Sequence, residues 1–299
     1  MFKQILIIGV GLIGGSFAQA LRRGDCVARV LGMDRDPMHL ERARQLGIID
    51  AEAHDWPSAL AATDLVVLAA PVAQTGPILQ AMARYLQPHT VITDTGSTKA
   101  DVVAAAHAAL GDKVAQFVPG HPIAGRELNG PDAALPDLYN GKKVVLTPCA
   151  ENHAASIQLV AHAWEACGAI VHYLEPAQHD RIFASVSHLP HLLAYALVDD
   201  IAHKPHAAQL FQYAASGFRD FTRIAGSSSE MWRDISLANR AALLEELDQY
   251  MAQLTRLRGH LANADAPALQ AVYANAQQVR HNWGRAIEHS EQQQKDGGD

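Results

Sequence analysis

The residue in this chain best suited to moving a proton is His121. It stands in Pro119-Gly120-His121-Pro122-Ile123-Ala124-Gly125-Arg126-Glu127, directly after a short apolar run. Histidine titrates near neutral pH, and the prolines and glycines around it are expected to hold it in a rigid loop. A second cluster, Thr93-Asp94-Thr95-Gly96-Ser97-Thr98-Lys99, joins a strand pattern to a helical one. Ser97 reads either as a hydroxyl at the carboxyl edge of a sheet, where ligands bind in open α/β folds, or as a plain helix N-cap. The third cluster is Ser187-His188-Leu189-Pro190-His191. It is followed by Gly217-Phe218-Arg219-Asp220-Phe221-Thr222-Arg223-Ile224-Ala225 and Met231-Trp232-Arg233-Asp234. His188 and His191 can share a helix face, but a metal site needs a third and usually a fourth ligand. None is evident, so no metal is expected.

A cofactor motif precedes these clusters. Gly9-Val10-Gly11-Leu12-Ile13-Gly14 matches Gly-x-Gly-x-x-Gly between a strand and an amphipathic helix. Gly9 allows the tight turn, Gly11 lets the backbone approach a pyrophosphate, and Gly14 lets helix and strand pack closely. The N–H groups of Leu12 and Ile13 open the helix, where its dipole favours an anion. Asp34 ends the second strand pattern, where a carboxylate accepts hydrogen bonds from the adenosine ribose and repels the extra phosphate of NADP. NAD is therefore the expected cofactor. NADP stays open, because Arg35 can pair with that phosphate or stack on adenine. Pro71, just past the third long strand pattern, is placed with the cofactor residues.

Regular elements must hold these groups in place. Strands are expected at residues 5–9, 27–34, 65–69, 91–93, 117–118, 144–147 and 170–173. Helices are expected at 12–22, 38–46, 78–86, 99–110 and 154–167. The apolar runs do not alternate, as in parallel strands buried on both faces, and strand and helix take turns. The fold class is α/β, with an N-terminal Rossmann-type, doubly wound parallel sheet over residues 1–173. An all-α substrate and dimerisation domain is expected over 174–288, and a polar, disordered tail over 289–299. Residues 180–201 read as one helix kinked at Pro190. Leu237, Ala241, Leu244, Leu247, Met251, Leu254, Leu257 and Leu261 form one stripe at steps of three and four. That stripe either packs inside its own domain or forms a dimer seam.

Composition narrows the class. Hydrophobic residues make up 49% and charged residues 18% of the 299, as in an ordinary globular protein. The net charge of -7 argues against a protein that coats nucleic acid, yet leaves room for a locally basic pocket. Cys26, Cys149 and Cys167 are too few and too scattered for a disulfide framework, and read as core thiols in a reducing compartment. No signal peptide and no run of roughly 20 apolar residues is evident, so a cytoplasmic location without membrane contact is expected.

The three clusters, in this order after a dinucleotide fingerprint, closely resemble the prephenate dehydrogenase (cyclohexadienyl dehydrogenase) family from about residue 5 to about residue 261. The carrying motifs are His121-Pro122-Ile123-Ala124-Gly125, Ser187-His188-Leu189-Pro190-His191, Asp220-Phe221-Thr222-Arg223 and Met231-Trp232-Arg233-Asp234. The resemblance implies an oxidoreductase of tyrosine biosynthesis that oxidises prephenate with a nicotinamide cofactor. It releases carbon dioxide and gives 4-hydroxyphenylpyruvate. Arogenate, or both substrates, is the alternative. It also implies roles: His121 as the base, Ser97 as a hydrogen-bonding group that orients it, and Arg223 as the fork for the ring carboxylate. His191 and Ser187 would line the pocket, Trp232 and Asp220 would shape it, and Glu127 would gate it. A homodimer is implied.

Two residues depart from the family pattern. Arg126 stands where a small hydroxyl residue is common, and Ser216 where a second glycine is common. Arg126 adds a positive charge that can favour the keto-acid side chain of prephenate, or it can face solvent. With no regulatory domain evident in the sequence, tyrosine inhibition is expected to act by competition at the active site. Two rival functions fit the residues less well. A β-hydroxyacid dehydrogenase usually carries a catalytic lysine on a helix of its second domain, and residues 180–201 contain none. A nucleotide-sensing protein without catalysis would not need Ser97, His121 and Arg223 together.

Overall fold

The computed structural model of this chain describes residues 1–126 and 128–296, with side chains described through residue 285. The first half alternates as expected: β1 (Ile5–Ile8), α1 (Leu12–Arg23), β2 (Val30–Met33), α2 (Pro37–Gln45), β3 (Ala51–Glu52), α3 (Trp56–Leu60), β4 (Leu65–Leu68), α4 (Thr75–Met82), β5 (Val91–Asp94), α5 (Ala100–Leu110) and β6 (Phe117–Val118). The six strands form one parallel sheet in the order β3-β2-β1-β4-β5-β6. Both faces are covered, because successive side chains of a strand point to opposite sides. Ile5 and Ile7 enter a core with Phe17, Tyr139 and Trp164; Leu6 and Ile8 enter another with Leu60, Leu79 and Phe117. Full burial of each such aliphatic side chain contributes about 1.5–3 kcal/mol.

A second, three-stranded sheet consists of β7 (Gly120–Pro122), β8 (Lys143–Leu146) and β9 (Ile170–Tyr173), with α6 (Ala154–Ala166) between the last two. β7 runs antiparallel to β8, and β8 parallel to β9. The strands β3 and β7 escape sequence patterning because two or three residues show no periodicity. β7 corrects one expectation: His121 lies on a short strand, paired with Val145, and not in a rigid loop.

The helical part follows as α7 (Pro176–Phe183), α8 (Leu189–Ala202), α9 (Ala207–Gln212), α10 (Ser216–Thr222), α11 (Ser229–Ala238), α12 (Arg240–Ala262) and α13 (Ala266–Asp296). Between α7 and α8 the chain forms a π-turn at Ala184–His188. Pro190 sits in the first turn of α8. The wide turn accommodates a residue that lacks an N–H and whose ring clashes with the preceding turn. The 27 residues Pro176–Ala202 are, against expectation, long and apolar enough to cross a membrane by length and composition. Their His179, Asp180, Phe183, Ala184, His188 and Leu189 are nevertheless buried in the protein's own interior.

Contacts divide the chain into Met1–Leu243 and Leu244–Asp299. α7 is tied to the sheet domain, since the Asp180 carboxylate accepts hydrogen bonds from the N–H groups of Lys99 and Ala100 at the start of α5. The expected stripe is not on one helix. α11 ends at Asn239, and Leu237 lies before that break. Leu237, Leu244, Met251, Leu254 and Leu261 are exposed on the single chain, so they do not pack inside their own domain. α13 continues to Asp296, through most of the stretch expected as a disordered tail. Of the cysteines only Cys167 is buried, while Cys26 and Cys149 are half-buried and all three are free thiols.

Candidate active site

The loop after β1 folds around glycine for steric reasons. Gly9 has φ +94°, and a Cβ there would lie 2.5 Å from the Ala69 carbonyl oxygen. At Gly14 a Cβ would meet the Gly9 oxygen at 2.1 Å, so helix and strand pack only because both positions are bare. Gly11 differs, for a Cβ there would meet no protein atom nearer than 3.9 Å. α1 begins at this point without a side-chain cap, so its leading N–H groups donate to no capping side chain. A cofactor diphosphate fits that cradle. The loop is braced from behind: Tyr139 Oη donates to the Ile13 oxygen at 2.6 Å, and the Leu135 N–H donates to Ser16 Oγ at 2.9 Å.

Asp34 follows β2. Its carboxylate accepts from the Val10 N–H at 3.0 Å and from the Asp36 N–H at 3.0 Å. It therefore orders the glycine loop as well as standing where a ribose would bind. Arg35 is exposed and lies 3.9 Å from Glu230.

A cleft of about 740 Å³ runs from this loop to the helices. Its walls include Gly11, Leu12, Ile13, Arg35 and Pro71 from the cofactor side, and Ser97, His121, Ser187, His191, Arg223 and Trp232 from the substrate side. Eleven of the residues selected from the sequence thus meet in one space. Gly9, Gly14 and Asp34 support it from behind. Arg126 is exposed and also borders the cleft. Asp220 does not line it: on α10 it is exposed and lies 3.8 Å from Arg219. The expected shaping role is thereby corrected, because the α10 turn carries Thr222 inward and Asp220 outward. Glu127 lies outside the described residues.

His121 is buried, and its Nδ1 lies 2.9 Å from His179 Nε2. His179 Nδ1 lies 2.8 Å from Asp180 Oδ1. Among the described residues the hydrogen-bond partner of the His121 ring is His179 and not Ser97. Burial, together with the neighbouring His179, the Lys99 ammonium and His188, holds His121 well below the ordinary histidine range, so its ring is neutral near pH 7. His191 stacks on Trp232 with ring centroids 3.5 Å apart, and its Nδ1 lies 2.9 Å from the Ser187 oxygen. His188 is turned away from the cleft, with Nδ1 3.0 Å from Asn239 Nδ2. The two histidines considered as metal ligands therefore serve different contacts.

Beneath Ser97 and His121 lies a buried ion pair. Lys99 Nζ donates to Asp94 Oδ2 and, at 2.9 Å, to the Gly120 oxygen. Asp94 in turn accepts from the N–H groups of Gly96 at 2.8 Å and Gly120 at 3.0 Å. One carboxylate thus clamps the Ser97 loop and the His121 strand together. Sequence reading missed Lys99, Asp94, His179 and Asp180 as site-building residues.

Comparison with known proteins gives the family. The sequence profile described as "Prephenate dehydrogenase, nucleotide-binding domain" matches residues 17–173, and "Prephenate dehydrogenase, dimerization domain" matches residues 175–275. The chain belongs to the prephenate dehydrogenase family. It is 37% identical to a cyclohexadienyl dehydrogenase of Zymomonas mobilis, over 94% of this chain and 96% of that one. It is 34% identical to a prephenate dehydrogenase of Bacillus subtilis, over 94% of this chain and 76% of that one. A prephenate dehydrogenase of Aquifex aeolicus, solved with hydroxyphenyl propionate and NAD+, superposes with a TM-score of 0.88. That match has 36% identity and covers 94% of this chain and 98% of that one. Like other members of the prephenate dehydrogenase family, this chain is an oxidoreductase with a nucleotide-binding domain.

Proposed function

We propose that this enzyme oxidises prephenate with NAD and releases carbon dioxide, giving 4-hydroxyphenylpyruvate for tyrosine biosynthesis. The carrying observation is one cleft that joins the glycine-loop cradle to a neutral, buried His121 and to Arg223. Gly11, Leu12, Ile13 and Asp34 would hold NAD, which would supply the acceptor for the hydride leaving the ring carbon that bears the hydroxyl. His121 takes the hydroxyl proton as that carbon becomes a carbonyl, and Ser97 is assigned to hydrogen-bond the same oxygen. Loss of carbon dioxide then drives an electron pair through the ring onto this oxygen, and the imidazolium returns its proton. The ring is aromatic at the end and no metal is needed.

Arg223 is assigned to the ring carboxylate, with His191, Ser187 and Trp232 forming the pocket wall. Arg126 adds a second positive charge and supports a preference for the side-chain keto acid. Arogenate as an additional substrate is a second reading, favoured by the likeness to a cyclohexadienyl dehydrogenase. The exposed leucines and Met251 of α12 and the match to a dimerisation domain support a homodimer. Free thiols support a cytoplasmic location; burial lifts Cys149 to about 11, which keeps that thiol unreactive. Tyrosine, a product-like phenol, would compete with substrate; purely non-competitive inhibition would rule that out.

The test is reduction of NAD, followed by its absorbance, with purified enzyme and prephenate, beside His121→Asn. Loss of general-base help predicts a fall in kcat of about 10²–10⁴-fold. A variant with wild-type kcat would remove His121 from the chemistry.

A further inference from the structure

We propose that His179 and Asp180 are positioning residues for His121, which fix its proton on Nδ1 and leave the Nε2 lone pair as the base. This deepens the reading of His121 as the base and depends on it.

The order of donors follows from the far end of the chain of contacts. Asp180 accepts from the Lys99 N–H at 2.8 Å and the Ala100 N–H at 2.9 Å. It is thereby the N-terminal acceptor of α5, supplied from α7, where a helix dipole favours negative charge. Burial opposes that charge, but hydrogen bonds from His179, Ala100 and Lys99 hold the carboxyl below its ordinary range. An ionised carboxylate can only accept, so the proton in its 2.8 Å contact with His179 sits on His179 Nδ1. Burial lowers His179 as well. A neutral ring protonated at Nδ1 has its lone pair at Nε2, and that atom faces His121 Nδ1 at 2.9 Å. Two lone pairs cannot make that contact, so His121 Nδ1 carries the hydrogen. His121 Nε2, for which no protein partner is found among the described residues, is the remaining basic atom of a residue that lines the cleft.

The packing keeps this arrangement dry. Phe183 lies against both rings, with centroids 4.8 Å from His121 and 4.4 Å from His179. The charged and titratable groups around the pair are Lys99 and Asp94 from the β5–α5 junction, Asp180 from α7 and His188 from the π-turn. When His121 Nε2 takes a proton, the Nδ1–H contact to His179 strengthens and the Asp180 charge stabilises the imidazolium. A carboxylate plays the same orienting part behind the histidine of hydrolytic triads.

The experiment uses the intact enzyme and two variants. His179→Phe keeps an aromatic ring and removes both hydrogen bonds; His179→Gln restores an acceptor near the Nε2 position. Expected results are a fall in kcat of about 10²-fold or more for His179→Phe, partial recovery in His179→Gln, and a KM for NAD within about twofold of wild type. The acid limb of the kcat profile should also shift in His179→Phe. ¹⁵N NMR of histidine-labelled enzyme, with the His121 signal assigned through His121→Asn, reads the tautomer directly. The wild type should show Nδ1 protonated and Nε2 bare, and His179→Phe should show that preference lost. Wild-type kcat, pH profile and tautomer in His179→Phe, with His121→Asn inactive, would overturn the positioning role alone. Activity in His121→Asn would overturn the base itself. Where His179→Phe does not fold, the wild-type spectrum decides: a proton on His121 Nε2 refutes the proposal.

Discussion

Replacing Lys99 by methionine removes one ammonium group from a fully buried site while keeping most of the side-chain volume. Lys99 and Asp94 have side chains 0% and 1% exposed. Without Nζ, the Asp94 carboxylate loses its counter-charge and the Gly120 oxygen loses its donor. Breaking a buried ion pair from one side typically costs about 3–5 kcal/mol. Asp94 keeps its two N–H donors from Gly96 and Gly120, which places the expected loss at the lower end, about 3 kcal/mol. In a unit of this size that lowers the melting temperature by about 6–12 °C. Calorimetry and urea unfolding of Lys99→Met, Asp94→Asn and the double variant are the assay. The double variant should lose less than the sum of the two singles, since the partners are coupled. A functional sign follows from the same contact: Lys99 lowers the proton affinity of His121. In Lys99→Met the acid limb of the rate profile should therefore move to higher pH. A Lys99→Met enzyme that melts within about 2 °C of wild type, with additive singles and an unmoved acid limb, would refute the clamp.

Three further outcomes are expected. His121, His179 and His188 are all held below the ordinary histidine range, chiefly by burial, and His188 lies at about 4. A depressed value means that stability is complete above about pH 6.5 and is lost as pH falls toward the folded-state value; for His188 the full loss is roughly 3 kcal/mol. A melting temperature that stays flat from pH 7 to about 4 would contradict this. Arg126→Thr should shift the ratio of prephenate to arogenate turnover toward arogenate, and unchanged kinetics on both would remove Arg126 from selectivity. Met251→Glu with Leu254→Glu should convert a dimer to monomers in light scattering at micromolar concentration, whereas a wild-type monomer would discard the seam.

Much of this protein was legible in its residues because the deciding patterns are local. β1 and β4 read as buried parallel strands because Ile5-Leu6-Ile7-Ile8 and Leu65-Val66-Val67-Leu68 bury both faces. The glycine loop was readable because a φ of +94° at Gly9 and the close approach at Gly14 tolerate no side chain. His121, Arg223, His191 and Trp232 stood in motifs whose residue types already named their chemistry, and all four line one cleft. Periodicity could not find β7, which is three residues long, or the break at Asn239, whose side chain is used by the Asp180 oxygen and by His188.

What orients the base was not legible at all. His121 meets His179 across 58 positions, and Asp180 reaches Lys99 across 81. Such contacts leave no spacing rule in the chain, because they exist only once α7 docks on the start of α5. Asp220 shows the converse, a charged residue in a telling motif that the turn of α10 carries out to solvent. Residue type and short-range spacing determined which chemistry this chain can perform and where its cofactor loop lies. Burial, and hydrogen bonds between distant segments, decided which nitrogen of His121 performs it.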